Sequence, residues 1–230
     1  MKKLYEGLTL FQRLAYPAHK ELFERLAKNQ SPQAVFITCS DSRIVPNLLV
    51  QAEPGDLFIL RNAGNIVPPA TVAPGGTIAS LEYAVRALGI RAVVLCGHSN
   101  CGAMSGILHP ESVESMPAVR SWVRHAEPAL RAVRERFPEG DGDEVLDALV
   151  ELNVVAQLRN VLTHGFVRAL VEAGELELFG WVYDIASGTV KGLDAEGRRF
   201  SPIGAEGTGS PDERKLLASL EGDEAFWERL

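Results

Sequence analysis

The sequence predicts an α/β fold, a mainly parallel central sheet flanked by helices. Three observations carry that reading. Apolar runs without polar alternation stand at 34–38, 57–60 and 92–96, the pattern of strands covered on both faces. A helical repeat lies between the second and third runs, giving a strand-helix-strand unit whose crossover is right-handed. The rest of the chain is largely helical, and 230 residues, 46% hydrophobic and 23% charged, suffice for one domain with a sizeable core.

Taken in order, residues 8 to 29 carry apolar positions at helical spacing interrupted at Pro17, so two short helices are expected to meet near Tyr16-Pro17. Residues 1–30 then form an N-terminal helical arm ended by Gln30-Ser31-Pro32. The first strand delivers Cys39 at its C-terminal end. Glu53-Pro54-Gly55-Asp56 is a turn, and the second strand closes on Arg61-Asn62-Ala63-Gly64-Asn65. Gly75-Gly76 opens a helix in which Ile78, Leu81, Val85 and Leu88 share a face, capped by Gly89. The third strand exits at Gly97 and His98. Residues 113 to 136 and 143 to 173 read as amphipathic helices, the second with a break at His164-Gly165. Leu176 to Ile185 and Thr189 to Leu193 look like a hairpin, or a strand with a turn. Gly204 to Ser210 is a loop within a C-terminal tail, 200–230, whose last residues read as a short helix or a continuation of the tail.

Composition excludes several classes. The net charge is −7, and the arginines from Arg120 to Arg136 are interleaved with Glu127 and Glu135, which opposes nucleic-acid binding. No run has the length of a membrane span, and Met1-Lys2-Lys3 leads into no signal-peptide core, so a cytoplasmic protein is expected. Three cysteines in that setting point to metal binding or catalysis over a disulfide framework.

Ligands of parallel sheets sit beyond the carboxyl ends of the strands, which places Cys39 and the His98-x-x-Cys101 pair on one rim. Two thiolates, an imidazole and the nearby carboxylate of Asp41 make a complete zinc set in which one ligand is able to leave. Arg43 can take Asp41 in a bidentate pair. Water in the vacated position is then acidified into a nucleophilic hydroxide. Because two thiolates cancel the charge of the metal, activity is expected to rise on the alkaline side. Cys96, inside a strand, reads as a small hydrophobe. His19, His109, His125 and His164 read as surface or packing residues.

Cys39-x-Asp41-x-Arg43 followed by His98-x-x-Cys101, with Arg61-Asn62-x-x-Asn65 between them, resembles the β-class carbonic anhydrases, and the similarity runs from about Gln30 to Asp184. The resemblance implies that Cys39, His98 and Cys101 bind Zn²⁺, with Asp41 a fourth ligand in a closed state. It implies that Asp41 and Arg43 gate and orient the catalytic water in reversible hydration of carbon dioxide to bicarbonate. It implies a homodimer or higher assembly, such as a tetramer, whose N-terminal helices embrace the partner. Gln30 matches a substrate-binding glutamine, Gly102 would offer its backbone N–H, and Ala63 would line an apolar pocket. Phe58 and Tyr83 match aromatics that the neighbouring subunit contributes. A branch with an inhibitory bicarbonate site carries tryptophan and glycine where this chain has Phe36 and Thr38, so no such lock is expected. Two alternatives remain: hydrolysis of carbonyl sulfide or carbon disulfide on the same scaffold, and a non-catalytic zinc-stabilised scaffold subunit docking through the tail from Ser201.

Overall fold

The computed structural model describes residues 1–194, 197 and 199–203. The expected loop at 204–210 and the docking tail beyond it lie outside the described residues. The arm consists of α1 (Lys2–Leu10), a π-helical turn (Phe11–Ala15), α2 (Tyr16–Ala18) and α3 (Lys20–Leu26). Helix thus starts six positions earlier than expected. It also passes through Pro17, because the wider turn before it relieves the clash of the proline ring with the preceding carbonyls. The break falls at His19, where φ is −116° and ψ is 21°.

Next come β1 (Ala34–Cys39), α4 (Pro46–Leu49), β2 (Leu57–Asn62), α5 (Gly76–Glu82, prolonged by a π-helical turn to Ala87) and β3 (Ala92–His98). They are followed by α6 (Gly102–Leu108), α7 (Pro117–Val123), α8 (Glu127–Arg136), α9 (Asp143–Leu162) and α10 (Gly165–Glu172). The chain then enters β4 (Glu177–Tyr183), β5 (Val190–Leu193) and β6 (Phe200–Pro202). The strands form one sheet in the order β2-β1-β3-β4-β5-β6. The first four are parallel, and β5 and β6 add antiparallel.

Three expectations are corrected. The helix expected over 113–136 is divided, because proline fits only a first turn and both Pro117 and Pro128 therefore open helices. The segment 143–173 does break at His164-Gly165, but α9 is not amphipathic: twelve of its twenty residues are buried, since it lies between the sheet and the outer helices. Residues 200–202, expected to begin a tail, pair with β5.

Period-two alternation sorts the buried strands. Val35, Ile37 and Cys39 of β1, with Val93 and Leu95 of β3, face the large core that α5, α6, α8 and α9 cover. Phe36, Val94 and Cys96 face the other side, against Ile44 and Trp181. Thr38 is tolerated in this apolar run because its hydroxyl donates to the Cys96 carbonyl at 2.9 Å. Gly97 admits α9 closely, for a Cβ there would meet Val154 at 3.0 Å and Val150 at 3.2 Å. Strand β1 ends at Cys39 and its neighbour β3 at His98, so the two open onto one rim. The arm, by contrast, buries no residue of α1, α2 or α3 and leaves Leu4, Tyr5, Leu8, Phe11 and Leu14 exposed.

Candidate metal centre

Cys39, His98 and Cys101 converge, all three buried, with their donor atoms within 4.8 Å of one another. The two sulfurs are 3.9 Å apart. Asn100, with φ of 53°, turns the chain after β3 so that Cys101, the residue before α6, comes back toward His98. The Nδ1 of His98 lies 2.9 Å from the Ser99 carbonyl, a contact that needs the proton on Nδ1 and leaves a lone pair on Nε2. That Nε2 is buried without a hydrogen-bond partner among the described residues. An unsatisfied buried nitrogen facing two thiols fits a soft metal ion as its missing partner.

The two thiols influence one another. A hydrogen bond from Cys101 is the largest of the effects that draw the Cys39 thiol down to about 4, ahead of His98 and the Gly64 N–H and against the opposing pull of burial. Cys101, facing that sulfur and itself buried, is pushed up. Cys96 is different in kind: burial alone raises it to about 12, as the reading of a structural cysteine expects.

Asp41 sits at the edge of the cluster, its Oδ2 3.9 Å from His98 Nε2. Arg43 holds it bidentately, Nε donating to Oδ1 at 2.9 Å and a terminal nitrogen to Oδ2 at 2.7 Å, and the Arg43 backbone N–H adds a third bond at 2.9 Å. The Arg43 fork keeps the carboxyl well below the usual carboxylate range. The same guanidinium donates to the Asn100 carbonyl at 3.0 Å, linking the two motif loops. Arg61, from the end of β2, donates to the carbonyls of Cys39, Asp41 and Ile44 and so staples the loop after β1.

Gly64 completes the wall, its N–H donating to Cys39 Sγ at 3.3 Å. Its φ is +77°, and a Cβ would meet Ala103 at 2.9 Å and Met104 at 3.0 Å. Gly64→Ala is therefore expected to cost about 2 kcal/mol in strain alone, read from a urea unfolding midpoint. An unchanged midpoint would contradict the turn described here.

Residues 34–190 match the family described as carbonic anhydrase. The chain belongs to the β-carbonic anhydrase family. Carbonic anhydrase from Pseudomonas aeruginosa is 52% identical over 200 residues, covering 87% of this chain and 90% of the relative. The solved β-carbonic anhydrase CcaA overlays with a TM-score of 0.88 at 39% identity, covering 94% of this chain and 97% of that one. One of two tetrameric β-carbonic anhydrases from Sordaria macrospora gives 0.73 at 30% identity, with 84% and 98% covered. A protein of this family is an enzyme, and the Cys-His-Cys cluster is where such a chain can hold a metal ion.

The remaining residues singled out in the sequence are placed unequally. Gly102 follows Cys101 directly and opens α6, and Ala63 precedes Gly64, so both adjoin the cluster. Gln30 is exposed in the connection between α3 and β1, and no hydrogen bond among the described residues joins it to the cluster. Phe58 and Tyr83 lie together, ring centroids 6.3 Å apart, with Tyr83 half exposed. Phe58 pairs with Val35 while Asn62 pairs with Cys39, which puts Phe58 about 13 Å down the sheet from the rim at about 3.3 Å per residue. Within one chain that aromatic pair is on the wrong level to wall the cluster. The structure adds groups that the sequence does not single out: the Ser99, Asn100 and Ala63 carbonyls and the side chains of Trp122, Asn153 and Gln157. Main-chain acceptors leave no mark in residue type, and buried Asn and Gln within α9 are the only advance sign of the last two.

Proposed function

We propose that this chain is a zinc-dependent carbonic anhydrase catalysing reversible hydration of carbon dioxide to bicarbonate and a proton. The observation that carries the reading is the convergence of two thiols and an orphaned imidazole nitrogen beside an Arg43-held Asp41. Sulfurs 3.9 Å apart suit a tetrahedral ion, since two ligands at about 2.3 Å from such a centre stand about 3.8 Å apart. Cys39, His98 and Cys101 hold the zinc. When bound, zinc supplies the Lewis acidity that makes a water nucleophilic near neutral pH. Asp41, held off the cluster by Arg43, stays ionised and would orient the attacking water by accepting its hydrogen bond at Oδ2. The Gly102 N–H, at the start of α6, is a donor for a substrate oxygen, and Ala63 contributes an apolar surface suited to an uncharged substrate.

Gln30, Phe58 and Tyr83 act across a subunit interface in this reading, because one chain does not bring them to its own cluster. The exposed apolar face of the arm supports that assembly: Leu4, Tyr5, Leu8, Phe11 and Leu14 are costly to leave in water and fit a second copy of the chain. Deleting Lys2 to Leu26 is expected to reduce the particle mass at least twofold in sedimentation, whereas an unchanged mass would remove the arm from the interface. No helix among the described residues is long and apolar enough to cross a membrane. All three cysteines are free and buried, in keeping with a reducing compartment such as the cytoplasm.

The test is product analysis on the purified zinc-loaded protein with carbon dioxide, carbonyl sulfide and carbon disulfide. Fast release of bicarbonate and a proton from carbon dioxide supports the reading. Sulfide release from the sulfur gases without carbon dioxide hydration would replace it by the hydrolase alternative, and zinc uptake with no turnover would replace it by a scaffold role.

A further inference from the structure

The peptide between Ala63 and Gly64 is engaged at both ends. Its N–H donates to Cys39 Sγ at 3.3 Å, and its carbonyl accepts the indole N–H of Trp122 at 2.8 Å. A planar trans peptide carries these groups on opposite sides, so the two bonds form one chain from indole to sulfur. A donor on the carbonyl polarises the amide and strengthens the bond its N–H makes. The following peptide is fixed independently. The Gly64 carbonyl accepts Asn153 Nδ2 at 3.0 Å, Asn153 Oδ1 accepts Gln157 Nε2 at 2.9 Å, and Gln157 Oε1 accepts the Val67 N–H at 2.9 Å. Asn153 and Gln157 are buried polar side chains inside an apolar helix, a costly placement that these bonds offset.

We propose that Trp122 is a positioning residue for the thiolate of Cys39, its indole N–H fixing and polarising the peptide that donates to the sulfur. The inference rests on the reading of Cys39 as a zinc ligand, and it assigns to α7 a role in the donor strength of that ligand. Hydrogen bonds to a coordinating thiolate lower the energy of its lone pairs, so weakening this one makes the sulfur a stronger electron donor. Outer partners of metal ligands typically change metal affinity by 10–100-fold, and one bond removed acts here through an intervening peptide.

The test uses the full chain in three forms: wild type, Trp122→Phe, and a form in which a Trp122 analogue carries sulfur in place of the indole N–H. The analogue keeps the bicyclic shape and removes only the donor. Two readouts are taken, zinc affinity by competition with a chromophoric chelator and the sulfur-to-metal charge-transfer band of the cobalt(II)-loaded protein. Loss of the donor is expected to move the band to lower energy in both variants and to change the zinc dissociation constant by roughly tenfold. The analogue supplies the result if Trp122→Phe does not fold. A band unmoved in the analogue, with zinc affinity within twofold of wild type, would overturn the proposal, as would a shift in Trp122→Phe that the analogue does not share, since that would mark packing alone. A wild type showing no sulfur-to-cobalt band would instead overturn the assignment of Cys39 as a ligand, and the inference with it.

Discussion

Cys101→Ala is expected to weaken zinc binding more than a hundredfold and to remove carbon dioxide hydration, with the chain still folded. The size follows from sharing about 10–16 kcal/mol of structural zinc affinity over four ligands, about 3 kcal/mol for each. The fold survives because Cys101 is one small side chain at the rim of a large core, whose other members on β1, β3, α5, α6, α8 and α9 stay in place. A second consequence tests the same assignment. With the Cys39 thiol drawn down by its neighbour and the Cys101 thiol pushed up, zinc uptake by wild type is expected to release about one proton near neutral pH. In the variant Cys39 loses the hydrogen bond that draws it down, so proton release does not separate the two forms and zinc affinity is the deciding readout. Chelator competition and weakly buffered indicator titration check the two statements, and unchanged zinc affinity in the variant would remove Cys101 from the metal centre.

Asp41→Asn separates metal binding from turnover. Zinc content should be unchanged, because Arg43 and not the cluster holds this side chain in the structure. The rate should fall roughly 10²–10³-fold, the usual worth of one preorganised hydrogen-bonding group at the reacting atom. Asparagine cannot supply two acceptor oxygens to the Arg43 fork, and its amide nitrogen can only donate toward the cluster. The pH dependence carries a further check. A carboxyl whose folded pKa is depressed stabilises the fold above its unfolded value, near 3.9, and loses that contribution only as pH falls through the lower folded value. Asp41 is thus ionised throughout the neutral range, and any limb of the rate profile between pH 6 and pH 9 belongs to another group. A variant with a third or more of the wild-type rate would show that Asp41 does not orient the attacking water.

Much of this architecture was legible because the signals were local. Unalternating apolar runs mark β1, β2 and β3, and the rule that ligands gather beyond the ends of parallel strands puts Cys39 beside His98 and Cys101. Boundaries were less legible: β1 and β3 run one and two residues further, through Cys39 and His98, since a ligand at a strand end carries no apolar signature. The single helix expected over 113–136 is divided because Pro117 and Pro128 outweigh the helical periodicity that runs through them. The long buried α9 has the sequence pattern of an amphipathic helix, but its polar positions Asn153 and Gln157 face loop carbonyls and amides instead of water. Hydrogen bonds from Gly64 to Cys39 and from Arg61 to three carbonyls depend on tertiary geometry that residue type does not encode.

The most direct measurement is stopped-flow carbon dioxide hydration by the zinc-loaded wild type from pH 6 to pH 9, with Asp41→Asn alongside. Fast hydration that rises with pH is expected in the wild type, falling at least a hundredfold in the variant at equal zinc content. A fully zinc-loaded, assembled wild type that does not accelerate hydration at any of these pH values would contradict the proposed function.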